Sequence, residues 1–138
     1  MLTEAAGIPV GLAIEGANRH DMKLVAPTLA SIAVERPDPT SQEPQNLCLD
    51  KGYDYDEVRS IVHEFGFTAH IRARGEEAKA LKREAGFKAR RWVVERTHSW
   101  MNRFRRILIR WEKKADNYLA LLHLVCAIIT FQQAGLFG

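Results

Sequence analysis

Asn46-Leu47-Cys48-Leu49-Asp50-Lys51-Gly52-Tyr53 is the stretch that decides the fold class. Its apolar core is short enough for a buried strand, Asp50 ends that strand, and Gly52 lets the chain turn sharply. Upstream, Arg36 to Pro44 holds three prolines, which forbid regular structure and mark an exposed connection rather than a domain boundary. Before it, Leu24, Val25, Leu29, Ile32 and Ala33 fall at helical spacing behind Asp21, which is expected to cap that helix. His20 reads as a loop or packing histidine. Earlier still, Ile8 to Gly16 reads as a strand, joined through the turn Glu4-Ala5-Ala6-Gly7 to a stub at Met1-Leu2-Thr3. So short a first strand leaves its partner with unpaired backbone groups, and a missing upstream element is expected. Strand, helix, strand in this spacing makes a βαβ unit and a mixed or parallel sheet. Downstream, Asp54, Asp56 and Glu57 are first-turn acids of a helix running to Phe65. Gly66 ends that helix, and Phe67 to Ile71 is a strand. Ligands of such sheets sit beyond the carboxyl ends of the strands, which raises Asp50 above an ordinary loop aspartate.

The second informative stretch runs from Arg90 to Arg106 without Gly or Pro and predicts one long helix. At about 100° per residue, Val93, Thr97, Trp100, Phe104, Ile107, Leu108 and Trp111 gather on one side, with Val94 and Met101 beside them. Arg91, Glu95, His98, Asn102 and Arg106 gather on the other. Glu95 is then one acid among cations on the face turned from the core. That suits a metal ligand facing a polyanion. It equally suits a surface Glu paired with Arg91, stabilising by about 0.2–0.5 kcal/mol.

Net charge is +3, but from Arg72 to Lys114 there are fifteen Lys or Arg against five acids, leaving the remainder near −7. This asymmetry points to an anionic partner for the second half, nucleic acid rather than a merely solvated basic surface. The spacing of Trp100, Phe104 and Trp111 assigns them to packing rather than base stacking. Cys48 and Cys126 lie in apolar runs without CxxC spacing, as buried reduced thiols in a cytoplasmic protein would. No signal peptide is expected. Tyr118 to Phe131 is apolar but too short to span a bilayer and contains His123, so a buried helix and no membrane partner are expected. Lys113-Lys114-Ala115-Asp116 is a break, and Asp116 or Asn117 caps the final helix, whose all-round apolarity predicts cover on most sides. Arg72 to Phe87 reads as a short charged approach, with no room for a second domain. One domain over 1–138 is expected.

Three stretches carry a family resemblance: Gly16-Ala17-Asn18-Arg19-His20-Asp21, Leu49-Asp50-Lys51-Gly52-Tyr53-Asp54, and Arg91-Trp92-Val93-Val94-Glu95-Arg96-Thr97-His98-Ser99-Trp100-Met101-Asn102-Arg103-Phe104. In order and composition they resemble the DDE transposases of bacterial insertion sequences, in the IS-four/IS-five superfamily. The resemblance covers essentially the whole chain. It implies an α/β, ribonuclease H-like fold, here truncated: a mixed sheet lacking its first strand, flanked by helices, with long basic carboxyl-terminal helices. It implies that Asp50 and Glu95 match the second and third acids of a catalytic, metal-binding triad. The cofactor it implies is Mg²⁺ (or Mn²⁺) in a two-metal site, whose cations clamp attacking and leaving oxygens about 3.5–4 Å apart. The partner it implies is double-stranded DNA, the terminal repeats of an insertion sequence. Lys51, Arg91, Arg96, His98, Asn102, Arg103, Arg105, Arg106 and Arg110 are the DNA-binding candidates, chiefly as salt-sensitive phosphate contacts.

The departures are specific. No residue here is assigned to the first acid of the triad; Glu4 and Glu15 flank the wrong part of the hairpin. The broader branch shows Tyr-x2-Arg-x3-Glu-x6-Lys as its signature on this long helix. Arg91 and Glu95 fit, whereas Lys88 stands at the Tyr position and Asn102 at the Lys position, with Arg103 adjacent. The expectation is therefore the carboxyl-terminal part of a transposase catalytic domain with an incomplete metal site and little or no activity alone. A non-catalytic DNA-binding remnant, or a regulatory partner of a full-length transposase, is the alternative; besides DNA, the partners expected are a second copy in a homo-oligomer or a full-length transposase.

Overall fold

The computed structural model describes residues 1–71 and 91–135; for Arg91 and Trp92 it describes the backbone alone. The charged approach expected between Arg72 and Phe87 lies outside the described residues. In chain order the elements are β1 (Leu2–Thr3), β2 (Pro9–Gly11), a 3-10 turn (Asp21–Leu24) leading into α1 (Val25–Ala30), β3 (Gln45–Leu49), a 3-10 turn (Lys51–Tyr53), α2 (Asp56–Glu64), β4 (Phe67–Ile71), α3 (Arg91–Met101), α4 (Arg105–Leu108) and α5 (Ala115–Gln133).

The strands form two separate pairs rather than the single mixed sheet expected. β1 and β2 are antiparallel, and β3 and β4 are parallel in register from Gln45↔Phe67 to Leu49↔Ile71. The parallel pair with α2 between its strands is the βαβ unit. The helix between β2 and β3 makes no such unit, because β2 pairs only with β1 among the described residues. Strand alternation sends Leu47 inward and Asn46, Cys48, Thr68 and His70 outward. Cys48 is therefore exposed, not buried as expected, and both thiols are free.

Two apolar clusters hold the chain. Val25, Leu29, Leu47, Val58 and Val62 join α1 and α2 to the inner face of β3–β4. Leu12, Met101, Ile107, Leu122, Val125 and Ile129 join α3, α4 and α5 beside the hairpin. The hairpin lies between them, Leu2 packing on the first cluster and Met1 on the second. α1 is stitched to the end of β2 through Ser31, whose hydroxyl donates to the Thr28 carbonyl (2.7 Å) and accepts from the Leu12 amide (2.7 Å). A Cβ at Gly11 would lie 2.7 Å from the Thr28 carbonyl, so only glycine permits this approach.

The hairpin turn is fixed by Glu4, whose Oε1 accepts from the amides of Ala6 (2.7 Å) and Ile8 (3.0 Å). Gly7 takes φ +87° there and presents its carbonyl to the Thr97 hydroxyl at 2.5 Å; Thr97 is wholly buried. Arg96 donates to the Ala6 carbonyl and lies 5.0 Å over the Trp100 ring. α3 is thus bolted to the hairpin by two consecutive side chains.

Four helical expectations are corrected. His20, not Asp21, caps the 3-10 turn, its Nδ1 3.5 Å from the Met22 amide; Asp21 lies in the first turn, where a negative charge still favours the helix. The long helix stops at Met101. Asn102 to Phe104 form tight turns, and Phe104 is extended before α4. That break brings Ile107 back into the second cluster, but leaves Leu108 59% and Trp111 71% exposed, off the packing stripe assigned to them. Lys114 stands at the cap of α5 without a side-chain cap bond, and Asp116 lies in its first turn. Finally, α5 runs 19 residues, long and apolar enough by length and composition to cross a bilayer, yet only one face of it is buried.

Thr97→Val should leave the Gly7 carbonyl buried and short of its donor, lowering stability by about 1–3 kcal/mol. Gly7→Ala should cost a similar amount, since φ is positive and the new methyl would sit 3.2 Å from Arg96 Nη2 and Thr97 Oγ1. Urea denaturation with an unchanged slope but a lower midpoint is the expected readout for both.

Candidate functional site

Asp50 directly follows β3, at the carboxyl end of a parallel pair, with φ −67° and ψ 157°. Its carbonyl accepts from the Tyr53 amide (2.9 Å), closing the 3-10 turn, while its exposed side chain is not used as a cap. Extended backbone at the strand end projects the residue outward before Lys51-Gly52-Tyr53 folds back. Burial pushes the Tyr53 phenol up, and the neighbouring Asp21 and Asp50 carboxylates add to that.

Beside Asp50 lies a charge cluster. Asp54 accepts from Lys51 and from Arg59, whose Nη2 is 2.6 Å away. Those hydrogen bonds hold the Asp54 carboxyl below the usual carboxylate range. With the folded value depressed, this contribution to stability is present above about pH 4 and fades as pH falls through the lowered value. Arg59 was not singled out from sequence. Its signal was a cation near the start of a helix that follows an acid-rich turn, and such a residue usually serves the helix itself.

Glu95 sits in the middle of α3 and is exposed, as are His98 and Asn102. Its direction follows from Thr97: two residues earlier on a helix is about 200° away, so anchoring Thr97 inward turns Glu95 to solvent. Among the described residues no group of three or more His, Cys, Asp or Glu forms a metal site. The two acids belong to different parts of the fold, Asp50 to the β3 end and Glu95 to the helix packed on the hairpin.

The predicted DNA contacts divide into two kinds. Arg103 and Arg105 are exposed, with His98 and Asn102. Others are engaged within the chain. Lys51 pairs with Asp54, and Arg96 clamps the hairpin turn. Arg106 lies 3.3 Å from Glu112, and Arg110 donates to the Glu112 carbonyl (3.2 Å) while lying 5.0 Å over the Tyr118 ring. Arg91 opens α3, and its side chain lies outside the described residues. The turn at Asn102–Phe104 also means that Arg103, Arg105 and Arg106 do not continue the outer stripe of α3.

Asp54→Asn should release Lys51 and Arg59 from their shared anion. Non-specific duplex binding, followed by fluorescence anisotropy, should tighten a few-fold, and the salt slope should steepen by about one phosphate equivalent. An unchanged slope would mean that neither cation reaches DNA.

Comparison with known proteins bears on this arrangement. Residues 47–132 match the family model described as transposase DDE domain. A Burkholderia cepacia protein assigned as transposase for insertion sequence element IS402 is 34% identical over 131 residues, which is 94% of this chain and 60% of that relative. The chain thus spans about three fifths of the relative's length. No solved structure matches significantly. The matched segment takes in the β3 end, the βαβ unit and all three carboxyl-terminal helices, and on this evidence the chain belongs to the transposase DDE domain family.

Proposed function

We propose that this chain is part of a catalytic domain of ribonuclease H-like type that acts in DNA transposition, on the terminal repeats of an insertion sequence. The observation that carries the reading is that the family-matched segment contains both Asp50 and Glu95, each at an exposed position, one beyond a parallel strand and one on a cation-rich helix. In this reading Asp50 and Glu95 are the second and third catalytic acids and metal ligands. Lys51, Arg91, Arg96, His98, Asn102, Arg103, Arg105, Arg106 and Arg110 form the DNA-facing set. Exposed Arg103 and Arg105 carry most of it, and Arg96 contributes by fixing the roll of α3.

Two hard carboxylates suit Mg²⁺ or Mn²⁺, which take oxygen ligands and keep several waters. Bound divalent cations activate a water or 3′ hydroxyl and stabilise the leaving oxygen in phosphodiester exchange. The chain's own contribution is to hold the two acids on rigid elements and to neutralise the phosphates around them. Two acids do not complete the site, and no third residue of this chain is assigned to it. Alone, therefore, the chain binds DNA and a divalent cation weakly and has little or no strand-transfer activity.

The test uses the full 138-residue chain. Mn²⁺ titration followed by electron paramagnetic resonance should show weak binding that Asp50→Ala and Glu95→Gln each reduce several-fold. Duplex DNA binding should be salt-dependent and survive Glu95→Gln. Metal binding indifferent to both variants would remove the two acids from the site. Clean Mg²⁺-dependent cleavage of terminal-repeat DNA, abolished by Asp50→Ala, would show that the site is complete after all.

A further inference from the structure

The stretch Gly16 to Asp21 holds none of the acids or cations assigned to the reaction, and every residue from Glu15 to Asp21 is exposed. The fold nevertheless brings its end to the carboxyl end of β3. The Tyr53 amide donates to the Asp50 carbonyl and the Tyr55 amide to the Tyr53 carbonyl, each at 2.9 Å. The Tyr55 ring in turn meets the His20 ring edge to face, with 6.0 Å between centroids and 80° between planes. Met22, two residues on, packs on the same apolar cluster as Tyr53 and lines one groove with Glu57 and Val58 of α2. His20 is thus held beside the turn that follows Asp50.

The surroundings of the ring sort its two nitrogens. Nδ1 accepts from the Met22 amide, 3.5 Å away. An N–H facing Nδ1 requires a lone pair there, so the proton of the neutral ring sits on Nε2. Among the described residues no hydrogen bond or ion pair engages Nε2. That nitrogen is a donor with no lone pair to offer a cation. Its fitting partner is an anionic oxygen.

We propose that His20 is a DNA contact, its Nε2–H donating to a backbone phosphate oxygen of a duplex lying at the end of β3. The inference rests on the reading that puts DNA beside Asp50. It adds a neutral donor to the cations of that end, Lys51 among them. Such a donor fixes where a phosphate sits more than how strongly it is attracted. A neutral imidazole displaces no counterion, so this contact adds nothing to the salt dependence of binding.

Asparagine and glutamine separate the roles of the two nitrogens. An Asn side-chain oxygen takes the place of Nδ1 at the Met22 amide but does not reach to Nε2. A Gln amide reaches to Nε2 and supplies a donor there, with poorer capping. Fluorescence anisotropy with a duplex of arbitrary sequence, and urea denaturation, are both run on the full 138-residue chain. His20→Asn should hold the urea midpoint and weaken duplex binding about 5-fold or more, with the salt slope unchanged. His20→Gln should lower the midpoint slightly and bind nearly as tightly as the parent chain. Imidazole nitrogen NMR should place the proton on Nε2. The His20 signal, identified by its loss in His20→Gln, should move when duplex is added. Affinity held by Asn and lost by Gln makes His20 a cap only and overturns the proposal. So do equal affinities of the two variants, a proton on Nδ1, or a salt slope that falls by about one in His20→Asn, the mark of a charged contact. Each of these leaves the parent chain's DNA binding in place, whereas a parent chain that binds no duplex overturns the DNA reading and this inference with it.

Discussion

A single hydroxyl sets the geometry on which the rest depends. Thr97, wholly buried in α3, donates to the carbonyl of Gly7, ninety residues away in sequence. The same hydroxyl lies 3.1 Å from the Val93 carbonyl one turn earlier, so the bond to the hairpin is shared with a common intrahelical one. Such a group must be satisfied when buried, at a cost of about 1–3 kcal/mol otherwise. Its neighbour Arg96 reinforces the joint from the rim, one side of its guanidinium on the Ala6 carbonyl and its plane over Trp100. The acceptors are available only because Gly7 takes a positive φ and has no side chain in the way. Together these residues fix the roll of α3 about its own axis. Once the roll is fixed, the outward direction of Glu95, His98 and Asn102 follows from helix geometry alone.

The basic half of the chain spends part of its charge on itself. Arg110 and Arg106 both reach Glu112, whose side chain is only 15% exposed, and Arg110 also covers Tyr118. These contacts tie the segment after α4 to the start of α5. Among the described residues of that basic stretch, Arg96, Arg106 and Arg110 are therefore engaged within the chain. Among the described residues, Arg103 in the turn after α3, Arg105 in α4, and Lys113 and Lys114 just before α5 are exposed. The phosphate track, on the reading proposed above, is a cluster around that turn rather than a stripe along one rod.

The parts of the fold legible in sequence were those decided locally. The turn at Glu4–Gly7, Gly66 as a helix stop with φ +78°, and strand Phe67–Ile71 all followed from residue type and spacing. So did the placing of Asp50 at a strand end. The parts not legible were those decided by partners distant in sequence. No Gly or Pro marks the break after Met101, and arginine is a good helix former; the chain turns because Ile107 has a place against α5. An all-round apolar helix was read as covered, but apolarity states only that cover is favourable, not that the chain supplies it. Cys48 was legible and was misread: period-two alternation from Leu47 puts it on the outer face of β3.

The same division applies to the candidate site. Each acid's local setting could be read, one beyond a strand and one on the outer side of a helix. Whether they meet is a question of how two apolar clusters are arranged, and no local pattern encodes that. Asp50 follows a strand of the first cluster, while Glu95 rides on a helix whose end packs in the second. A cation shared between them, as proposed, would link the two clusters across the hairpin that separates them. The fold does not need that link, because each cluster is closed by its own apolar contacts and the hairpin is held by Thr97 and Arg96. Metal binding is then free to be weak and reversible, as suits ions whose work is on the phosphodiester rather than on the protein.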